Sequence, residues 1–220
     1  WGIQKHFDYA PVGDFSLYDH VLDTSFLVGN VPERVKALSG PALAQYFRVA
    51  RGRAPNDSSC NCVHAGEMTK WFDTNYHYIV PEFSKDTDFV LQAEHFINQI
   101  SEAHANGQQV KPVLVGPVTY LWLGKTKDQS NKLDLLPQLT TVYLKLIKQL
   151  ADLGIEWLQL DEPIVVTELE SQWQQALTST YQQLSAAGVN ILFTSYFGPL
   201  KGNLPTVAKL PVAGIHLDCV

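Results

Sequence analysis

The segment from Glu67 to Phe83 combines residue types that suit the binding of a flat molecule carrying an anionic group. It reads EMTKWFDTNYHYIVPEF, and five of its 17 residues are aromatic. Lys70 is the only lysine or arginine between Arg53 and Lys85, and Asn75 follows it closely. Aromatic side chains can pack against a ring, a carboxamide can form hydrogen bonds with its polar edge, and an ammonium can pair with the anionic group. On composition alone, a core strand followed by an aromatic surface loop is the plainer interpretation.

Cys60, Cys62 and His64 place three possible metal ligands within the string CNCVH. Zinc accepts thiolate and imidazole ligands, so a metal site is one interpretation of this cluster. Standard zinc fingers space their cysteines as C-x2-C or wider, whereas a single residue separates this pair. The spacing therefore favours a solvated loop with incidental thiols.

His216, Asp218 and Cys219 form a second group of possible ligands near the carboxyl end of the chain. If IHLDC is a strand, alternation places His216 and Asp218 on one face and Cys219 on the other. The three side chains would then not converge on one ion. A histidine in the core or at the mouth of a barrel is the favoured interpretation.

Asp161 and Glu162 are adjacent carboxylates in the string LQLDEP. Neighbouring residues on a strand point in opposite directions, so the two cannot flank one bond as a glycosidase pair must. We expect them to have a structural role or to lie at the mouth of a barrel. Ser195 lacks the G-x-S-x-G turn that exposes a nucleophilic serine, which makes a hydrolase a weak interpretation.

Composition favours one folded domain, residues 1–220, with 45% hydrophobic residues. Only 17% of the residues are charged, which is typical of a protein whose surface is partly covered by another part. The net charge of -6 argues against binding to nucleic acid or to anionic membranes. Three cysteines give no disulfide framework, and neither an 18-residue apolar run nor a signal-peptide pattern is present. A cytoplasmic protein is therefore expected.

Apolar residues recur at helical spacing in three long segments, each closed by a glycine and followed by an apolar strand. These segments run from Asp88 to Ala105, from Pro137 to Leu150, and from Thr167 to Ala187, with Thr167 and Glu170 as a predicted capping box. A shorter helix is predicted near residues 204–210. Alternation of helices with nearly continuous apolar strands predicts an α/β fold in which helices cover a parallel sheet.

Two architectures fit this alternation, a doubly wound sheet and a (β/α)8 TIM-type barrel. The first is not supported by a G-x-G-x-x-G turn. About six parallel strands are predicted, fewer than the eight of a closed barrel, so we expect an incomplete barrel with outer helices. These strands lie near Val12 to Phe15, Val63 to Glu67, Val113 to Gly116, Trp157 to Asp161, Ile191 to Ser195 and Ile215 to Asp218.

Four segments resemble the N-terminal half of the cobalamin-independent methionine synthases. They are Glu67 to Phe83, Lys111 to Lys125 (KPVLVGPVTYLWLGK), Gly154 to Leu169 (GIEWLQLDEPIVVTEL) and Pro11 to Pro32, which contains VGDFSLYDHVLDTS. The resemblance extends over nearly all of the chain. Members of this family move a methyl group from 5-methyltetrahydropteroyltri-L-glutamate to L-homocysteine to make methionine. They are long zinc enzymes with two barrels that face each other.

The resemblance implies that the chain is part of the N-terminal, folate-binding barrel, without its first strand and its last one or two. It implies that Lys70 pairs with carboxylates of the glutamate tail and that Asn75 contacts polar atoms of the folate substrate. The family's zinc ligands and catalytic histidine belong to the C-terminal barrel, so no catalytic residue and no metal ligand is expected in this chain. Its expected partners are the folate polyglutamate and that second barrel of the same polypeptide.

Two other classes of protein remain open at this stage. One is a separate enzyme of a related barrel group, such as a corrinoid methyltransferase or a uroporphyrinogen decarboxylase. The other is a barrel without catalytic activity that serves as a scaffold. The gene sequence on either side of the chain would distinguish these alternatives from a methionine synthase fragment.

Overall fold

The computed structural model describes residues 6–38, 41–52 and 63–218. The helices in these residues are α1 His20–Leu27, α2 Glu33–Lys36, α3 Ala42–Arg51, α4 Glu94–Ala105, α5 Pro117–Leu123, α6 Leu136–Asp152, α7 Ser171–Leu184 and α8 Leu204–Val207. The strands are β1 Ala10–Val12, β2 Met68–Lys70, β3 His77–Ile79, β4 Glu82–Phe83, β5 Val110–Val115, β6 Lys125–Thr126, β7 Trp157–Asp161, β8 Asn190–Thr194 and β9 Gly214–His216. Short 3-10 helices span Lys132–Leu135, Pro163–Val166 and Lys201–Asn203.

Five strands form one sheet in the order β1-β5-β7-β8-β9, and every neighbouring pair in it is parallel. Its register places Pro11 beside Lys111, Val113 beside Gln159, and Asp161 beside Thr194. Strands β4 and β6 form a separate parallel pair, and β2 and β3 form an antiparallel hairpin. The predicted α/β class with a parallel sheet is therefore confirmed.

Five of the six predicted strands are present, with ends that differ by up to three residues. Strand β1 ends earlier than predicted because Gly13 takes φ +89, which turns the chain out of the extended conformation. The prediction of a parallel strand at residues 63–67 is wrong. The strand in this part of the chain is β2, which begins at Met68 and pairs with β3. A partner segment that follows after so short a turn favours local antiparallel pairing over a place in the parallel sheet.

The three long predicted helices are present as α4, α6 and α7, but two of them begin later than expected. Residues 88–93 are not helical, because Val90 and Gln92 donate backbone hydrogen bonds to the end of α1. The predicted capping box before α7 does not form. Thr167 instead donates its hydroxyl to the carbonyl of Ile164, 2.7 Å away, and the Glu170 side chain makes no capping bond.

The sheet buries one face under helices and leaves the other partly open. On β7, Leu158 and Leu160 are fully buried, whereas Trp157, Gln159 and Asp161 alternate with them and are partly exposed. Helix α6 packs a stripe of fully buried residues against this core: Leu139, Ile147 and Leu150. Each such side chain contributes about 1.5–3 kcal/mol by leaving water. The polar residues of the strands are therefore directed to the open face or to the strand ends.

Within the ranges described above, every helix is too short or too polar to cross a membrane.

Candidate functional site

The hairpin β2–β3 carries the lysine and the carboxamide that the sequence singles out. Its register pairs Met68 with Ile79 and Lys70 with His77. In the turn, the backbone N–H of Trp71 donates to the carbonyl of Tyr76 at 2.8 Å. Thr74 closes the turn further by donating its hydroxyl to the carbonyl of Trp71 at 2.7 Å. The turn that holds Asn75 is thus defined by its own hydrogen bonds.

The two faces of this hairpin have different environments. Trp71 and Tyr78 are 7% and 5% exposed and their rings contact each other at 5.4 Å between centroids. Lys70 and His77 are exposed, because alternation along the strands turns them to the opposite face. Asn75 is also exposed, in the turn. The sequence predicted one site containing Lys70 and the aromatic rings. In the structure, Lys70 lies on one face of the hairpin and the buried rings lie on the other.

An aromatic cluster anchors the buried face of the hairpin, and it consists of Trp71, Phe72, Tyr78, Trp122, Tyr196 and Phe197. Phe72 stacks on Trp122 at 6.1 Å with an interplanar angle of 14°, and it contacts Phe197 at 5.6 Å. Tyr196 meets Phe197 edge-on at 4.6 Å. The cluster joins three parts of the chain: the hairpin, the end of α5, and the loop after β8. Aromatic pairs of this geometry contribute about 0.5–1.5 kcal/mol each beyond the buried area.

Two phenylalanines of the aromatic cluster have left-handed backbone conformations. Phe72 has φ +47 and Phe197 has φ +80. Such a conformation in a bulky residue costs on the order of 1–3 kcal/mol and persists only where the surroundings enforce it. Here the surroundings are the rings themselves, which contact each other directly. Phe197 is nonetheless 39% exposed. The sequence carries no signal for this conformation, since glycine is the residue that usually marks it.

A row of polar side chains crosses the open face of the sheet and ends at the aromatic cluster. The Lys111 ammonium donates to Gln159 Oε1 at 2.7 Å, and Gln159 Nε2 donates to Asp161 Oδ1 at 2.8 Å. The Tyr196 hydroxyl donates to Asp161 Oδ2 at 3.1 Å. Burial raises the pKa of Asp161, while the bonds from Gln159 and Tyr196 oppose that rise. Asp161 therefore holds the Tyr196 hydroxyl in position through this hydrogen bond.

Glu162 has a different environment from Asp161, as strand alternation predicts. It is fully buried and accepts hydrogen bonds from the backbone of Val118 and Thr119, at 3.2 and 2.6 Å, and from the Tyr181 hydroxyl at 3.1 Å. Burial raises its pKa to about 7, against these stabilising bonds. A Cβ at Gly116 would overlap the carboxylate, so glycine is required at this close approach. Glu162 satisfies backbone donors in the first turn of α5, which is a structural role.

Asp19 connects the hairpin to helix α1. Its Oδ1 accepts from the backbone N–H of Leu22 at 2.7 Å and caps the helix, and its Oδ2 accepts from Ile79 at 3.0 Å. Burial raises the pKa of Asp19 to about 6. The string SLYDHVL could have indicated the helix cap, because aspartate before a run of apolar residues is a common helix start. No local sequence pattern indicates the hydrogen bond from the backbone N–H of Ile79 to Asp19.

Lys132 fixes the end of α5 that carries Trp122. Its ammonium donates to the carbonyls of Trp122 and Gly124 at 2.6 and 2.9 Å, and it lies 5.5 Å from the centroid of the Trp173 ring. Burial lowers the pKa of Lys132 to about 8. Its position after a polar loop gave no indication that it would be half-buried.

The remaining sequence-predicted groups do not assemble into a site. His216 is exposed on β9, while Asp218 follows that strand and Cys219 lies outside the described residues. Cys60 and Cys62 also lie outside them, and His64 is exposed. Among residues 6–38, 41–52 and 63–218, no three His, Cys, Asp or Glu side chains converge as metal ligands would. Ser195 is 1% exposed, which does not suit a nucleophile that must reach a substrate.

The fold and the side chains at its strand ends define an α/β protein built on a parallel sheet. A family model described as "Cobalamin-independent synthase, N-terminal domain" matches residues 1–220, and the chain belongs to that family. A relative from Saccharophagus degradans, named 5-methyltetrahydropteroyltriglutamate–homocysteine methyltransferase, is 50% identical over 215 residues. The match covers 96% of this chain and 28% of that relative, so the chain spans less than a third of its length.

Among solved structures, the chain is similar to a B12-independent methionine synthase from Shewanella sp. W3-18-1, determined in complex with selenomethionine. The sequence identity is 18% and the TM-score is 0.44. The superposition covers 62% of this chain and 40% of the other.

Proposed function

We propose that the chain is the N-terminal part of a cobalamin-independent methionine synthase. The complete protein would move a methyl group from 5-methyltetrahydropteroyltri-L-glutamate to L-homocysteine. The observation that carries this proposal is the 50% identity to the Saccharophagus methyltransferase over 215 residues. Since the match covers 28% of that protein, the methyl transfer belongs to a longer polypeptide, and this part contributes to folate binding.

The architecture we propose for residues 1–220 is one domain, a part of a (β/α)8 barrel. In the described part of the chain, the five-stranded sheet has β1 and β9 as its edges, each paired on one side. Parallel strands of this kind are usually covered on both sides, yet the face with Gln159 and Asp161 is partly open. Further strands of the same polypeptide would pair with both edges and enclose this face.

Lys70 and Asn75 are the residues we propose to contact the folate substrate. Lys70 is exposed on a hairpin whose other face is anchored by Trp71 and Tyr78, so its ammonium can reach a ligand while its backbone is held. It would pair with carboxylates of the glutamate tail. Asn75 lies in the turn of the same hairpin, where its amide can donate to or accept from polar atoms of the substrate.

The zinc of the complete enzyme is not assigned to this part of the chain. The described residues do not bring together the three or four ligands that a zinc site requires. The metal and the homocysteine are therefore proposed to bind elsewhere in the polypeptide. A cytoplasmic location is part of the proposal, supported by three cysteines in 220 residues, which is few for a secreted protein.

The test is a methyl-transfer assay on two proteins, the complete polypeptide and the 220-residue chain alone. With zinc and both substrates supplied, we expect the complete polypeptide to form methionine and the chain alone to remain at the level of the buffer control. Methionine formation by the chain alone would contradict the proposal that the transfer requires the rest of the polypeptide. An inactive complete polypeptide that is folded and contains zinc would contradict the proposed activity.

A further inference from the structure

One face of the hairpin β2–β3 places two basic side chains directly opposite each other, at its exposed end next to the turn. Lys70 and His77 are register partners, and both are exposed. Backbone hydrogen bonds from Trp71 to Tyr76 and from Val80 to Glu67 bracket this pair. It is therefore a non-hydrogen-bonded pair, the type in which the two side chains come closest, with about 4.5–5.5 Å between Cβ atoms.

The electrostatic surroundings of this pair favour an external anion. Two acidic residues lie close to the pair in the chain: Glu67, which Lys125 holds at 2.5 Å, and Asp73, which is exposed in the turn. Among residues 6–38, 41–52 and 63–218, no carboxylate forms an ion pair with Lys70 or His77. An ammonium and an imidazole side by side both offer N–H donors, so an anion placed between them can accept hydrogen bonds from both.

The backbone under the pair is held by contacts from the rest of the fold. Asp19 accepts from the backbone N–H of Ile79 at 3.0 Å, two residues beyond His77. The Tyr78 hydroxyl donates to the carbonyl of Leu123 at 3.2 Å, and the Trp71 ring packs in the aromatic cluster. A short hairpin by itself would be marginally stable in water, but these contacts fix the spacing of the two basic groups.

We propose that His77 is a second anion-binding residue and that Lys70 and His77 together bind the carboxylates of a polyglutamate tail. This inference rests on the proposed function and extends it. A chain of linked glutamates carries several carboxylates, and two donors on one rigid hairpin can bind two of them, or one between them. Histidine can donate a hydrogen bond to a carboxylate in either protonation state. The pair would therefore favour long glutamate tails over a single glutamate.

A double-mutant cycle in the complete protein tests the inference. The affinities of 5-methyltetrahydrofolate with three glutamates and with one are measured for wild type, Lys70→Ala, His77→Ala and the double variant. His104→Ala is the matched control, because His104 is an exposed histidine on α4. We expect His77→Ala to weaken the triglutamate about two- to tenfold and the monoglutamate less, and the control to change neither.

His77→Lys is the conservative variant and should retain the preference for three glutamates. The losses of triglutamate affinity in the two single variants should be non-additive, since both residues would contact the same tail. If Lys70→Ala weakens the triglutamate while His77→Ala has no effect, the inference about His77 is overturned and the proposed function stands. If neither substitution changes the triglutamate affinity, the proposed contact of the hairpin with the tail fails as well.

Discussion

Lys70 and Trp71 are neighbours in the chain but have different environments in the structure. Lys70 is exposed on one face of the hairpin, whereas Trp71 is 7% exposed in the aromatic cluster on the other. The same separation applies to Asp161 and Glu162, which bind Tyr196 and Tyr181 respectively. Side chains of neighbouring residues along an extended segment point in opposite directions, so one faces the open side and the next faces the core.

Lys70→Ala in the complete protein should weaken the triglutamate substrate more than the monoglutamate. An exposed ammonium facing a carboxylate contributes roughly 0.5–2 kcal/mol, which is about a two- to thirtyfold change in affinity. Salt should reduce the difference, because exposed charge pairs are screened over about 8 Å at physiological ionic strength. Titration of both folates at low and high salt measures the effect.

Lys145→Ala is the control for Lys70→Ala, because Lys145 is an exposed lysine on helix α6. It should leave the affinities for both folates unchanged.

Asn75→Ala should weaken the binding of both folates to the same extent if Asn75 contacts the ring rather than the tail. An unchanged preference for the triglutamate in Lys70→Ala would show that Lys70 is not the tail contact.

Glu162 should make the folded chain less stable as the pH rises above 4.5. Its pKa is raised from an ordinary 4.5 to about 7 by burial, so between these values the folded state keeps a proton that the unfolded state releases. The stabilisation is complete below pH 4.5 and is lost as the pH rises through about 7, and its size is roughly 3 kcal/mol at most. Asp19, with its pKa raised to about 6, adds to the same trend.

Thermal unfolding of the 220-residue chain between about pH 5 and pH 8 measures this dependence. Glu162→Gln should lower the stability of the folded chain at the acidic end of this range, because an amide group would face backbone donors. It should also reduce the loss of stability between about pH 5 and pH 8. The part of the pH dependence that is due to Asp19 should remain. Equal pH dependence in wild type and Glu162→Gln would show that Glu162 does not titrate in this range.

Helix α5, the hairpin β2–β3 and the loop after β8 hold one another through the aromatic cluster. Phe72 connects the hairpin to α5 by stacking on Trp122, and Phe197 connects it to the loop. Lys132 holds the end of α5, and Asp161 holds Tyr196. Each of these segments would bury little surface by itself, so their positions depend on the shared ring contacts and on polar supports at the margin of the cluster.

Tyr196→Phe should loosen the aromatic cluster while keeping the ring. The substitution removes the hydroxyl that donates to Asp161 and leaves a partly exposed carboxylate with one partner fewer. We expect a loss of about 1 kcal/mol in the free energy of unfolding and a change in the fluorescence of the tryptophans, since Phe197 contacts Trp71. Tyr76→Phe is the matched control, because Tyr76 is 73% exposed. Identical unfolding curves and spectra for the two variants would contradict a supporting role for the Tyr196 hydroxyl.

The parallel sheet as a whole has one face covered by helices and two edge strands, β1 and β9, in the described part of the chain. Ile215 on β9 is 41% exposed, although its neighbours on the same face of the sheet, Ile191 and Phe193 on β8, are buried. In the barrel proposed above, further strands of the same polypeptide would cover this apolar residue.

Backbone amides of the edge strands should be better protected in the complete protein than in the 220-residue chain. If further strands pair with β1 and β9, their outward hydrogen-bonding groups acquire partners and exchange with solvent more slowly. Strand β7 lies at the centre of the sheet and serves as the internal control. Hydrogen–deuterium exchange of both proteins measures this. Equal protection of β1 and β9 in the two proteins would argue against closure of the sheet into a barrel.

Local patterns in the chain were enough to predict the α/β class, the parallel sheet and the positions of most of its helices and strands. These follow from periodicity, because buried parallel strands require continuous apolar runs and covering helices require one apolar stripe. Strings such as EMTKWFDTNYHY also indicated the family. The error at residues 63–67 arose because the string VHAGE was taken as the strand, whereas the strand begins at Met68 and the nearby partner β3 favours antiparallel pairing.

The meeting of distant segments, in contrast, depends on tertiary packing. Phe72, Trp122 and Phe197 lie far apart in the chain, and no local pattern indicates that their rings come together. The hydrogen bond from Ile79 to Asp19 and the partial burial of Lys132 likewise depend on packing between elements. Such contacts are set by the shape and volume of the assembled core, whereas periodicity reports only which face of each element is apolar.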